Sequence, residues 1–141
     1  MLSKNKKERS AGFVIVTKSS GSFRVLGLYL NGKIDIPKGH VESGESNLEA
    51  AKRECLEEAN IVVKDSDMKW GNDCFVIRRE KKDVIVYIAE TTQTPKIMMN
   101  PETDIYEHDE YAWLTWSDMK ANCYPHLRRA IDWAQSKIDG I

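Results

Sequence analysis

The chain has 141 residues, 41% of them hydrophobic and 30% charged, and its formal net charge is −1. This length is sufficient for one hydrophobic core, so we expect residues 1–141 to form a single domain. A net charge so close to zero excludes a general electrostatic attraction to nucleic acid or to a membrane surface. Any anionic ligand must therefore be bound by a local cluster of lysine and arginine side chains.

The three cysteines, Cys55, Cys74 and Cys123, are far apart, and no two form a Cys-x-x-Cys pair. This pattern argues against a disulfide framework and against a structural zinc site. The first ten residues lack the apolar core of a signal peptide, and no run of residues is long enough to span a bilayer. We therefore expect a cytoplasmic protein with no membrane partner and no DNA partner.

The predicted elements begin with two strand-forming runs, residues 13–16 and 24–29, which are rich in β-branched and aromatic residues. Ser19-Ser20-Gly21-Ser22 is a turn signal between them, and Asn31-Gly32 marks the next turn. These runs predict an antiparallel start to a sheet.

A helix is predicted after Gly44. Ser46 followed by Glu49 has the spacing of a capping box, and the helical pattern continues to about Ala59. Asn60 then occupies the position where a left-handed cap is expected, a conformation that asparagine tolerates. The side of this helix that should face the core carries Leu48, Cys55 and Ala59.

Further strands are predicted at residues 74–77, 84–88 and 111–116. Ser117 is expected to cap a short helical turn. Pro125 is favoured at a first helical position and opens a last helix, whose apolar stripe consists of Leu127, Ile131, Ala134 and Ile138. The order of strands, helix, strands and helix predicts an α+β fold in which helices cover the faces of a mixed sheet.

One face of the first helix is acidic. Glu54, Glu57 and Glu58 fall within an arc of about 100 degrees. Like charges at 54 and 58 cost roughly 0.2–0.5 kcal/mol, and anions in the last turn cost roughly 0.3–1 kcal/mol through the helix dipole. The alternative is a solvated face with ion pairs, in which Glu49 and Arg53 have favourable spacing. Bound Mg²⁺ or Mn²⁺ would reverse both penalties.

The preceding loop suits a phosphate ligand. Residues 37–45 read Pro-Lys-Gly-His-Val-Glu-Ser-Gly-Glu, with two glycines that permit a close approach of the backbone. Lys38 adds a point charge suited to phosphate.

Together the loop and the helix resemble the Nudix box. Five residues separate Gly39 from Glu45, and seven more separate Glu45 from the run Arg53-Glu54-Cys55-x-Glu57-Glu58-x-Asn60-Ile61. Every charged position of the motif is therefore present. Asn60 replaces the usual final glycine, and Cys55 fills an apolar position. The resemblance implies a sheet sandwiched between helices and hydrolysis of a pyrophosphate bond in a nucleotide-type substrate.

The same resemblance implies roles for individual residues. Mg²⁺, for which Mn²⁺ may substitute, would be held by Glu54, Glu57 and Glu58, with the Gly39 carbonyl as a further ligand. Arg53 would orient the glutamates, and Glu45 would support the loop. The general base would be Glu57, with Glu54 and Glu107 as alternatives.

Three stretches further resemble the asymmetric diadenosine tetraphosphate hydrolases of the animal and archaeal type. They are residues 37–45, Ala11-Gly12, and Glu107-His108-x-x-Tyr111-x-Trp113-Leu114. This likeness implies that Tyr111 stacks on adenine and that Lys81, or alternatively Lys82, binds phosphate, as His40 and Lys38 would. The chain departs from the group at Ile34-Asp35-Ile36, where a tryptophan is usual.

The leading functional hypothesis is therefore hydrolysis of diadenosine tetraphosphate to ATP and AMP, with a nucleoside polyphosphate as the small-molecule partner. Removal of pyrophosphate from an RNA 5′ end, or hydrolysis of a diphosphoinositol or nucleotide sugar, are the enzymatic alternatives. A Nudix-fold nucleotide sensor is the non-enzymatic one, although such proteins tend to lose box glutamates that are all present here. The sequence leaves open whether the protein is a monomer or a homodimer.

Overall fold

The computed structural model describes residues 7–100, 103, 105–106 and 108–140. The strands are β1 (Glu8–Ser19), β2 (Ser22–Leu30), β3 (Lys33–Asp35), β4 (Lys38–His40), β5 (Phe75–Arg78), β6 (Lys82–Glu90), β7 (Met99–Asn100), β8 (Ile105–Tyr106) and β9 (Glu110–Leu114). The helices are α1 (Asn47–Ala59), α2 (Trp116–Asn122) and α3 (Arg128–Asp139). Within the described ranges no helix is both long and apolar enough to cross a membrane.

Seven strands form one mixed sheet in the order β3-β2-β1-β6-β5, with β4 added to β1 and β9 added to β2. The long first strand organises it. One edge of β1 pairs antiparallel with β2 near its end and with β4 near its start, and the other edge pairs parallel with β6 along nine residues. Strands β7 and β8 form a separate two-stranded ribbon.

Helices cover both faces of this sheet. Alternate residues of β1 point to opposite sides, so Phe13 and Ile15 pack in a core with α1, whereas Val14 and Val16 pack in a core with α2 and α3. Both cores consist mainly of aliphatic side chains that are fully buried. The architecture is the predicted α+β sandwich of a mixed sheet between helices.

The turns after β1 and β2 adopt the predicted positions and have positive φ at both central residues. The φ values are 51° and 83° at Ser20 and Gly21, and 51° and 77° at Asn31 and Gly32. Two consecutive left-handed residues give the turn twist that matches paired strands. The sequence signals for both hairpins are therefore confirmed.

Helix α1 begins and ends as predicted. The Ser46 side chain accepts a hydrogen bond from the Glu49 N–H, and the Glu49 carboxylate accepts one from the Ser46 N–H, which completes the capping box. Asn60 ends the helix in the left-handed region, with φ 56° and ψ 36°. Cys55 and Ala59 are fully buried, and Leu48 packs partly buried against the same core.

Two local predictions are wrong. The side chain that caps α2 is Thr115, which accepts a hydrogen bond from the Asp118 N–H, so the helix begins before Ser117. Residues 38–40 form strand β4 instead of a loop, because they pair with residues 10–12 of β1. A three-residue strand is too short for hydrophobic alternation to reveal it.

Candidate active site

Strand β4 places Gly39 directly beside the acidic face of α1. A methyl group at Gly39 would collide with the carboxylate of Glu54. The φ angle of Gly39 is not in the left-handed region, so space and not backbone conformation requires glycine here. The strand backbone and the Glu54 carboxylate are therefore in close contact. The predicted approach of this backbone to a ligand or a metal stays a prediction.

Arg53 lies at the centre of the hydrogen-bond network of this face. Its guanidinium donates two hydrogen bonds to Glu45, from Nε at 2.7 Å and from Nη2 at 3.0 Å. Nη1 donates to Glu54 at 2.9 Å and to Glu57 at 3.1 Å, and Nη2 also donates to the His40 carbonyl at 2.8 Å. This geometry supports the predicted role of Arg53 in orienting the glutamates.

The electrostatics of the pair formed by Arg53 and Glu45 are mutually reinforcing. Hydrogen bonding to Glu45, reinforced by the charges of Glu54 and Glu57, raises the pKa of Arg53 against the opposing effect of burial. The hydrogen bond from Arg53 lowers the pKa of Glu45. Both groups are therefore charged at neutral pH, and the loop before α1 is fastened to the helix by a bidentate ion pair.

The prediction that Glu49 pairs with Arg53 is wrong. Glu49 instead turns back to the helix start, where its Oε1 accepts the Ser46 N–H at 2.8 Å. The capping box thus occupies the carboxylate that helix spacing alone would assign to Arg53.

The three box glutamates have different environments. The Glu57 side chain is 47% exposed, whereas that of Glu54 is 12% exposed. Glu58 is buried, which argues against the alternative of a solvated acidic face. The reason is that its helix face packs on β4, where Oε1 accepts the Lys38 N–H at 3.0 Å. Burial and the Glu58 charge raise the pKa of Cys55 to about 12, which keeps this thiol protonated and unreactive.

The donor set of this face suits a hard cation. Three carboxylates and the Gly39 carbonyl are oxygen ligands, which Mg²⁺ and Mn²⁺ prefer. Within the described part of the chain, no three acidic, histidine or cysteine side chains already converge on one metal position. Instead, Arg53 binds Glu54 and Glu57. A divalent cation would therefore compete with Arg53 for these carboxylates.

A second, cationic cluster lies around Lys38. Burial lowers the pKa of Lys82, and the positive charges of Lys38 and Arg79 lower it further. Burial also lowers the pKa of His126, followed by the charges of Arg79 and Lys38. Asp35 partly neutralises the cluster, since its Oδ2 lies 3.3 Å from the Lys38 Nζ. We call Lys38, Arg79, Lys82 and His126 the cationic cluster.

Open clefts lie beside the cationic cluster and beside the loop before α1. One, of about 790 Å³, lies between β5 and the start of α3 and is lined by Phe75, Val76, Ile77, Arg78, Arg79, Glu80, Pro125, His126, Arg128, Arg129 and Asp132. A smaller cleft of about 330 Å³ shares Arg79 and Glu80 with it and continues to Lys81 and Lys82. A third, of about 340 Å³, runs past Arg9 and His40 along the loop before α1.

The remaining predicted site residues are spread more widely. Lys81 is exposed in the turn between β5 and β6, and Lys82 is the lysine whose pKa responds to Lys38. His40 is exposed, with Nε2 3.2 Å from Glu8 Oε1. Tyr111 pairs with Leu28 across the sheet and packs partly buried against the core that contains α1. Their roles in substrate binding stay predictions, and Glu107 lies outside the described residues.

Sequence reasoning missed three members of this region. Asp35, Arg79 and His126 contribute to the cationic cluster or contact it. A signal was present for Asp35, a single acid between two isoleucines directly before the Pro-Lys-Gly motif. Arg79 and His126 are far apart in sequence, so only the sheet brings them together.

Comparison with known proteins decides the family. A family model described as the NUDIX domain matches residues 4–134. The chain belongs to the Nudix family. This match confirms the predicted family and enzyme class. Nudix hydrolases generally use divalent metal ions.

Among relatives of this Nudix protein is a Caenorhabditis elegans bis(5′-nucleosyl)-tetraphosphatase [asymmetrical], 29% identical over 118 residues, which are 78% of this chain and 80% of that protein. The Mus musculus protein of the same name is 37% identical over 82 residues, which are 55% of this chain and 52% of that protein. The match therefore spans most of the nematode relative and about half of the mouse relative.

Solved structures agree in fold with this Nudix chain. A C. elegans Ap4A hydrolase binary complex has a TM-score of 0.75 at 23% identity, and the match covers 95% of this chain and 99% of that one. The NUDIX domain of Shewanella oneidensis NrtR complexed with ADP ribose has a TM-score of 0.69 at 16% identity, covering 94% of this chain and 89% of that one. At these identities the likeness shows the fold alone.

Proposed function

We propose that this Nudix hydrolase cleaves a phosphoric anhydride in a nucleoside polyphosphate, and that its reaction is asymmetric cleavage of diadenosine tetraphosphate. Water adds to one phosphorus atom and the bridging P–O bond breaks, so one substrate and one water give ATP and AMP. The observation that carries the proposal is the adjacency of the carboxylates on α1 to the cationic cluster, through the single strand β4. The name of the nematode relative, matched over 80% of its length, supports the choice of substrate.

The carboxylates and Gly39 supply the groups for the chemical step. Glu54, Glu57, Glu58 and the Gly39 carbonyl would hold Mg²⁺ or Mn²⁺, which when bound neutralises charge on phosphate oxygens and acidifies water. Glu57 is the proposed general base, because its side chain is the more exposed of the two glutamates bound to Arg53. Glu54 and Glu107 are the alternatives.

The cationic cluster supplies the binding groups for the phosphate chain. Lys38 and Lys82 lie close enough for their charges to interact, and the lowered pKa of Lys82 reflects burial and repulsion from its cationic neighbours. A polyanion would relieve this repulsion, so binding energy comes from charges already held together. Lys81 and His40 remain candidates at the margins of the same clefts.

Two aromatic residues are candidates for stacking on a base. Tyr111 is the candidate from the sequence, and Phe75 lines the cleft of about 790 Å³ beside the cationic cluster. Stacking on one base contributes about 1–3 kcal/mol. Replacing the stacking residue by leucine should therefore raise KM for diadenosine tetraphosphate while leaving kcat within a few-fold. Parallel kinetics of Tyr111→Leu and Phe75→Leu identify which residue has this role.

Product analysis tests the reaction itself. The protein would be incubated with diadenosine tetraphosphate and Mg²⁺, and the products separated by anion-exchange chromatography. ATP and AMP in equal amounts are expected. Two molecules of ADP, or no turnover, would contradict the proposal. Parallel reactions with 5′-triphosphorylated RNA, a diphosphoinositol and a nucleotide sugar compare the enzymatic alternatives directly.

A matched pair of variants tests the proposed base. Glu57→Gln is expected to lower kcat by about 10²–10⁴-fold, the usual contribution of a positioned general base. Glu90→Gln is the control, because Glu90 pairs with Lys69 on a distant part of the sheet and its removal should leave kcat unchanged. Equal rates for Glu57→Gln and the parent would remove Glu57 from the mechanism. Calorimetric binding of a polyphosphate without any turnover would favour the nucleotide-sensor alternative.

A further inference from the structure

Asp35 is a buried acid whose position the fold alone does not explain. It ends strand β3, is only 8% exposed, and is flanked by Ile34 and Ile36, both fully buried in the core. A carboxylate in such a place costs free energy unless it is paired and hydrogen-bonded. Its contacts therefore indicate what it is retained for.

Three groups approach the Asp35 carboxylate. Oδ1 accepts the Ile36 N–H at 2.8 Å. Oδ2 lies 3.3 Å from the Lys38 Nζ and 3.9 Å from the Nε2 of His108, which is itself buried. Burial acts to raise the pKa of Asp35, but the neighbouring His108 and the charge of Lys38 outweigh it, so the pKa lies below its usual value.

The contact between Asp35 and Lys38 opposes the electrostatic repulsion that Lys38 experiences within the cationic cluster. The charge of Lys38 acts on Lys82 and on His126 together with that of Arg79. A lysine side chain has four rotatable bonds, and repulsion from its neighbours favours rotamers that point to solvent. With its side chain only 18% exposed, Lys38 is instead held inside the cluster, where Asp35 is its anionic partner.

We propose that Asp35 is a positioning residue for phosphate binding. Its carboxylate fixes the ammonium of Lys38 inside the cationic cluster, and through His108 it fastens β3 and β4 to the chain just before β9. The inference rests on the proposed function, since it takes Lys38 to bind the phosphate chain of the substrate.

The direction in which Asp35→Asn changes the affinity for an anion distinguishes a positioning role from a purely electrostatic one. Removing a carboxylate makes the cationic cluster more positive, so Coulomb attraction alone predicts tighter binding of an anion by Asp35→Asn. Loss of positioning predicts weaker binding, because the freed lysine must be ordered again when the anion binds. Asn is isosteric and keeps an acceptor for the Ile36 N–H, so the backbone contact is preserved.

The experiment is a double-mutant cycle with inorganic tripolyphosphate as the probe, its Kd measured by calorimetry in the parent, Asp35→Asn, Lys38→Met and the double variant. Asp35→Asn should bind about tenfold more weakly, within the range of coupling between contacting groups. In the Lys38→Met background, Asp35→Asn should weaken binding no further. Asp65→Asn is the matched control, since it removes an acid paired with Lys52 outside the cluster, and its Kd should equal that of the parent.

Thermal unfolding accompanies each measurement. If Asp35→Asn does not fold, Asp35→Thr, which suits a strand and also lacks the charge, takes its place in the cycle. Tighter binding by the charge-free variant, or additive effects in the double variant, would overturn the inference. Unchanged tripolyphosphate affinity in Lys38→Met would overturn it as well. The Kd values are measured without added Mg²⁺ or Mn²⁺, so that the anhydride bonds of the probe are not hydrolysed. They are therefore independent of whether diadenosine tetraphosphate is cleaved, which the product analysis decides.

Discussion

The close approach of β4 to α1 predicts that Gly39→Ala will inactivate the enzyme while leaving its fold intact. The added methyl group would overlap the carboxylate carbon and both oxygens of Glu54. Because carbon atoms pack at about 3.5–4.0 Å, the carboxylate must retreat by roughly 1 Å. A misplacement of that size costs about 100-fold in rate, or about 2.7 kcal/mol in the activation barrier. The free energy of unfolding should change little, because the displaced atoms are the far end of the flexible Glu54 side chain.

Gly21→Ala is the matched control for this change. Gly21 has a φ of 83° and nothing within 4 Å of an added methyl group, so alanine there is strained but meets no neighbour. The strain costs about 1–2 kcal/mol of stability without touching the site. Gly21→Ala should therefore unfold at lower temperature with parental kcat, and only Gly39→Ala should lose kcat and Mn²⁺ affinity. Parental kcat in Gly39→Ala, or an equal loss in both variants, would refute the reasoning.

Three further predictions concern single positions. Asn60→Ala should lower the free energy of unfolding by about 1 kcal/mol and leave kcat unchanged, because the backbone of residue 60 is left-handed. Thermal unfolding measures this loss of stability, and an unchanged unfolding temperature would contradict the prediction. Arg53→Lys should lower kcat and Mn²⁺ affinity, because lysine cannot hold Glu45 in a bidentate pair while also contacting Glu57, whereas Lys52→Arg should not. His126 should titrate below about 6.5 in the free protein, so the folded state loses stability as the pH falls from that value. Tripolyphosphate should raise its pKa in an NMR titration, and binding should tighten as the pH falls; an unchanged pKa would place the anion elsewhere.

The parts of the site that the sequence predicts are those built from local spacing. The capping box, the left-handed Asn60 and the acidic face of α1 all depend on residues within one or two helical turns. Local rules of helix geometry therefore suffice to place them. The two hairpin turns are predictable for the same reason, since their backbone conformation depends on two adjacent residues.

The rest of the site depends on pairing between distant segments. The charge of Lys38 reaches Lys82 only because β1 pairs with β4 on one edge and with β6 on the other, which brings two segments distant in sequence onto one sheet. The burial of Glu58 likewise depends on β4, whose three residues give no periodic signal. Which of Lys81 and Lys82 faces a given side of the sheet depends on the strand register, and a displacement by one residue would exchange them.

The shared strand also constrains which substrates can fit. Residues 10–12 of β1 are hydrogen-bonded to β4, and residues 8–16 are bonded to β6. Neighbouring strands lie about 4.8 Å apart, so β4 and β6 are held roughly 10 Å from each other by two ladders of backbone bonds. The backbone distance between β4 and β6 is therefore fixed, and a ligand that contacts both strands must match it to within the reach of their side chains.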